Sequence, residues 1–182
     1  MKKIVVFLAV LFFALAITFG IKAVKSADGR TNGTSVAWDE EIEIFACSIS
    51  KNSQNDREKV KAFYDWIIKN ISYDYDAQPI YQHFNFNKTI KTKKGLCYDY
   101  SNLFAVLCRS QKIPCYILDG YSRENYSYYH SWNRVYFDNS WWNVDITFDA
   151  QQIKESEELY GFKSVGEDYT VEDSDLIITR IY

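Results

Sequence analysis

Two aromatic-rich runs, 130–137 and 141–148, face each other across the dipeptide Asp138-Asn139. Asp and Asn tolerate the left-handed backbone of a two-residue hairpin loop, so this stretch predicts two antiparallel strands in one register. With that loop, Phe137 lies opposite Ser140, Trp132 opposite Asp145 and His130 opposite Thr147. His130 and Trp132 share a face because strand side chains alternate. His130 and Asp145 then become diagonal neighbours, within side-chain reach of one another. A slip of one residue would put them on opposite faces.

Upstream of the hairpin the periodicity is helical. Residues 38–50 carry Ile42, Phe45, Ala46 and Ile49 along one stripe, which predicts a short helix. A second is predicted from an N-cap at Ser53, with Val60, Phe63 and Ile67 along its face through about Asn70. The irregular stretch from Tyr73 to Lys94, with Pro79 and many aromatics, reads as a long loop. Gly95-Leu96-Cys97 opens a third helix with Tyr100, Leu103, Phe104, Leu107 and Cys108 on one stripe. Pro114 stops it, and strands are predicted over Cys115–Tyr121, His130–Phe137, Trp141–Phe148 and Asp175–Tyr182. This order of elements describes an α+β domain. The 182 residues suit one domain plus a leader, and 18% aromatic residues suit half-buried strand positions.

The first 27 residues differ in kind from the rest. Behind Lys2 and Lys3, Ile4–Ile21 is an uncharged apolar run, which reads as a secretory signal or an uncleaved membrane anchor. Residues 28–37 read as a linker and 38–182 as the folded domain. Without the leader, 155 residues hold 17 basic and 24 acidic side chains, a net of −7. Such a surface is poorly matched to nucleic acid, whose binding depends on Lys and Arg contacts to phosphate. The expected setting is therefore extracytoplasmic, secreted or held to a membrane through residues 4–21, with a protein or peptide as partner.

Of four cysteines, Cys97 stands apart. At the start of a helix the first N–H groups lack carbonyl partners and carry partial positive charge, which favours a thiolate and can also stabilise an oxyanion. With His130 as base and Asp145 as the carboxylate that orients it, Cys97 completes the set that nucleophilic catalysis requires. Cys47, Cys108 and Cys115 read as core residues, with a Cys108–Cys115 disulfide as the alternative in an oxidising compartment. The cysteine spacings fit no zinc pattern and His83 and His130 are the only histidines, so no metal and no cofactor is expected.

The ordered motifs Gly95-Leu96-Cys97, Leu107-Cys108-Arg109, Lys112-Ile113-Pro114, Asp119-Gly120-Tyr121, His130-Ser131-Trp132-Asn133 and Trp142-Asn143-Val144-Asp145-Ile146-Thr147 resemble the transglutaminase-like superfamily. The resemblance covers about residues 56–148. It implies a papain-like α+β fold in which the nucleophile helix packs on an antiparallel sheet, with Cys97 as nucleophile, His130 as general base and acid, and Asp145 as orienter. It implies thiol acyl transfer on peptide or carboxamide bonds, as a peptidase, an amidase or a protein cross-linking enzyme. Some members have lost catalysis, so the alternative is a cell-surface binding module of the same fold. Gln82 and Tyr81 are candidates for a second oxyanion or cleft group, and Trp132 for a wall of the substrate cleft.

Overall fold

The computed structural model describes residues 36–77, 84–122, 129–152, 163–164 and 176–181. The leader, the start of the linker, Pro79, Tyr81, Gln82, His83 and most of the acidic segment after Glu155 lie outside them. Among the described residues no helix is long and apolar enough to cross a membrane.

Helix α1, Glu40–Ile49, starts where the Asp39 carboxylate accepts from Ile42 N at 3.1 Å. Helix α2, Asp56–Asn70, is capped by Asn55 rather than Ser53: the Asn55 side chain accepts from Glu58 N at 2.9 Å, while Glu58 reaches back to Gln54 N at 2.7 Å. The stretch expected to be a loop contains three elements. Strand β1, Ser72–Tyr73, pairs in parallel with β2, Lys94–Gly95, and between them lies helix α3, Phe86–Thr92. Its seven residues are mostly polar and turn only Phe86 and Thr89 into buried positions, too few to produce a recognisable period. Asn85 caps it, and Lys93 ends it in the left-handed conformation at φ 57°.

Helix α4, Cys97–Ser110, is the centre of the molecule. Each residue from Tyr100 to Arg109 is buried, not only the predicted stripe, because α1 and α2 contact it along with β3 and β4 of the sheet. A helix enclosed on every side loses its polar face, and the polar groups that remain need partners. Arg109 accordingly donates from Nε to Cys115 O at 2.8 Å. Asn133 of the sheet donates from Nδ2 to Ser101 O at 3.0 Å and to Tyr116 O at 3.1 Å.

The sheet comprises β3 Cys115–Ser122, β4 Tyr129–Phe137, β5 Ser140–Val144, β6 Lys163–Ser164 and β7 Leu176–Ile181, in the order β6-β5-β4-β3-β7 with antiparallel neighbours. The hairpin forms as predicted. Phe137 pairs with Ser140, and Asp138 and Asn139 adopt φ of 50° and 59°, both left-handed as a two-residue primed turn demands. The return strand is shorter than expected. It stops at Val144, and Ile146–Gln152 is helix α5, so Asp145 stands at a strand-to-helix junction and Thr147 is helical.

Candidate active site

The turn that presents Cys97 is held from several directions. Leu96, in extended backbone, has no side-chain oxygen to cap α4. Asp99 in the first turn does the reciprocal part, its Oδ2 accepting from Leu96 N at 2.9 Å, and burial pushes the Asp99 carboxyl pKa up. The preceding strand is clamped by Ser72 N donating to Lys93 O at 2.9 Å and Asp74 N donating to Gly95 O at 3.0 Å. The Tyr100 hydroxyl donates to Ile71 O at 2.9 Å, joining the first turn of α4 to the end of α2. Gly95 is required by close approach: a Cβ there would stand 2.6 Å from Asp99 Cβ. Cys97 is thus the first residue of a helix whose start cannot easily shift, and its side chain is half-buried.

His130 lies near the beginning of β4 and is 7% exposed. Its Nε2 is hydrogen-bonded to Asp145 Oδ2, and the Cys97 side chain lies near enough to the ring to act on its charge. Burial by itself disfavours the charged ring. The Asp145 charge and hydrogen bond, followed by Cys97, outweigh it and hold the imidazole well above the ordinary histidine range. Trp132 lies parallel to the imidazole, with ring centroids 6.0 Å apart and planes 11° apart, and is itself buried.

Asp145 reaches the ring from the N-cap of α5. Its Oδ1 accepts from Phe148 N at 3.0 Å while Oδ2 meets His130. The diagonal proximity anticipated from the hairpin exists, but a helix start supplies it. An aspartate three residues before an N–H it can cap was a legible signal, masked by the apolar Val144 and Ile146 on either side.

The structure therefore brings Cys97, His130 and Asp145 together, with His130 bonded to Asp145 and Trp132 against the ring. Tyr81 and Gln82 lie outside the described residues. Cys47 is exposed rather than core, its thiol donating to Gln111 Oε1 at 3.5 Å. Cys108 and Cys115 are buried free thiols, and burial, then the neighbouring Cys115 thiol, pushes the Cys108 pKa well up. A sulfur at a helix start, an imidazole between it and a carboxylate, and an antiparallel sheet behind them define the class of cysteine–histidine α+β domains.

Within that class the family is clear. The model of the transglutaminase-like superfamily matches residues 44–146, more than half of the chain, and the chain belongs to that superfamily. The kyphoscoliosis peptidase of Mus musculus is 28% identical over 123 residues, which is 62% of this chain but 19% of that protein. The chain thus spans about a fifth of the length of that curated relative. Among solved structures, a candidate cysteine protease from Cytophaga hutchinsonii is similar at a TM-score of 0.55 and 21% identity, covering 85% of this chain and 53% of that one. The periplasmic domain of TgpA from Pseudomonas aeruginosa is similar at a TM-score of 0.55 and 15% identity, covering 70% and 48%. At these identities the two structures establish a shared fold.

Proposed function

We propose that this domain is a thiol acyl-transfer enzyme acting on a peptide or carboxamide bond, with Cys97 as nucleophile, His130 as proton carrier and Asp145 as the carboxylate that orients and charges the ring. The observation that carries the reading is the buried imidazole bonded to the Asp145 carboxylate with the Cys97 side chain beside it. A ring held protonated beside a sulfur favours a thiolate–imidazolium pair, the nucleophilic form of cysteine.

The thiolate attacks the carbonyl carbon, forming a C–S bond and a tetrahedral oxyanion. N–H groups at the start of α4 would supply donors to stabilise that charge. The C–N bond then breaks as the imidazolium gives its proton to the departing amine, leaving a thioester. His130, now neutral, takes a proton from the acceptor that resolves the thioester. Water as acceptor makes the domain a peptidase or amidase; an amine makes it a cross-linking enzyme. The basic-then-apolar leader further supports action outside the cytoplasm, secreted or tethered through residues 4–21.

The test is capture of the thioester. The protein is incubated with a library of glutamine- and amide-containing peptides and analysed by intact mass and peptide mapping. Acylation confined to Cys97, lost in Cys97→Ala and slowed in His130→Ala, is the expected result. Peptide binding that persists in Cys97→Ala, with no adduct or turnover in the wild type, would instead identify a binding module.

A further inference from the structure

The carboxylate beside His130 belongs to a helix that is too short to hold its own position. Helix α5 has seven residues, and helices of that length are marginal without tertiary support. Its N-cap is Asp145 itself, so any shift of the first turn carries the carboxylate away from the ring. One turn on, Asp149 N donates to Asp145 O at 3.0 Å, and the Asp149 side chain is fully buried. The Tyr64 hydroxyl, from the middle of α2, donates to Asp149 Oδ2 at 2.8 Å, and Tyr64 is 3% exposed. Ile146 and Ala150 add apolar contact to the core, but apolar contact is non-directional and tolerates sliding. A hydrogen bond to a buried carboxyl group does not slide in that way, because misalignment weakens the bond to a buried oxygen.

We infer that Tyr64 is a positioning residue for the reaction, acting through Asp149 to fix α5 so that Asp145 meets His130. This inference rests on the acyl-transfer reading of Cys97, His130 and Asp145. Tyr64 reaches the site through Asp149, whose Oδ2 accepts from its hydroxyl. Its hydroxyl fixes one turn of a helix, and the turn before it holds the carboxylate. Losing the hydroxyl frees α5 to rotate about its cap, weakens the contact of Asp145 with the ring, and lowers the population of the thiolate–imidazolium pair at neutral pH.

The experiment follows iodoacetamide labelling of Cys97 in the full chain by peptide mass, from about pH 5 to about pH 9, the range in which an imidazole charge changes. Tyr64→Phe keeps the ring and removes only the donor. It is expected to slow labelling about tenfold near neutral pH, within the roughly hundredfold loss that a 1 Å misplacement can cause, and to move the rise in rate to higher pH. Asp149→Ala breaks the same tie from the other side and should displace the profile in the same direction. Asp149→Asn keeps an oxygen for the hydroxyl and should stay within about twofold of the wild type. A structural tie alone would lower the unfolding midpoint and leave the profile where it is. Superimposed profiles for Tyr64→Phe, Asp149→Ala and the wild type, with Asp145→Asn displaced, would overturn the positioning role and leave the acyl-transfer reading standing. An undisplaced Asp145→Asn profile would remove that reading itself, and the inference with it.

Discussion

Asp145 holds His130 from a helix N-cap, not from a strand: one carboxylate oxygen meets Nε2 of the ring and the other accepts the Phe148 N–H at 3.0 Å. Each bond orients the other. The cap fixes the plane of the carboxylate, and that plane aims Oδ2 at the imidazole.

These two duties can be separated by substitution. Asn caps a helix about as well as Asp but carries no charge. Asp145→Asn should therefore keep the cap, so that at pH above the His130 titration its unfolding midpoint stays near that of the wild type, while the pKa of His130 falls and turnover drops by roughly 10²–10⁴-fold. Asp145→Ala should lose the activity and, in addition, about 1 kcal/mol of stability from the missing cap. Thermal unfolding alongside histidine NMR titration distinguishes the two effects. Equal stability losses in both variants would contradict the capping role.

The raised pKa of His130 has a defined consequence for stability. A histidine whose folded pKa exceeds its unfolded value near 6.5 contributes stability in full below the unfolded pKa, and loses it as pH rises through the folded pKa. The stability difference between the wild type and His130→Ala should accordingly be larger at about pH 6 than at about pH 9. Urea unfolding at the two pH values measures this, and a difference that grows with pH would reverse the sign assigned to the ring.

The cysteines should separate under a thiol reagent. Cys97 lies half-buried beside His130, Cys47 is exposed without such a neighbour among its described contacts, and Cys108 and Cys115 are enclosed. Burial also raises the Cys108 pKa, so that thiol is both hidden and protonated. At mildly acidic pH, iodoacetamide should label Cys97 first and Cys47 slowly, with Cys108 and Cys115 modified only after denaturant is added. Quantitative peptide mass spectrometry reports the order, and parity between Cys47 and Cys97 would argue against an activated sulfur.

Much of this site was legible because its parts lie where local rules are strong. Asp138-Asn139 determined the hairpin and the Phe137–Ser140 pairing through backbone chemistry alone. Cys97 was recognisable as a helix start from the glycine before it and the periodicity after it. The ends of elements were harder. Val144 and Ile146 have the β-branched character of a strand, so the change to helix at Asp145 went unread; burial against α2 and α4 overrides that preference. Helix α3 and the two-residue strands around it carry too few apolar residues to mark themselves. The enclosure of Arg109 and Asn102 was also hidden, since only the assembled neighbours reveal that α4 has no solvent face.

Gly95 offers the sharpest steric prediction, because the atom it would strike is attached to backbone. An added Cβ would stand 2.6 Å from Asp99 Cβ, a contact that no side-chain rotation can relieve. The Asp99 carboxylate meanwhile holds Leu96 N, so moving Asp99 aside also breaks the bond that restrains the residue before Cys97. Gly95→Ala should cost about 1–3 kcal/mol, as overpacking typically does, and should slow Cys97 labelling. The same substitution made in an Asp99→Ala background should still be costly, since alanine retains the Cβ. In an Asp99→Gly background the clash disappears and the penalty of Gly95→Ala should fall towards zero. A double-mutant cycle by urea unfolding measures that coupling. A penalty unchanged by Asp99→Gly would mean that some other contact makes glycine necessary at 95.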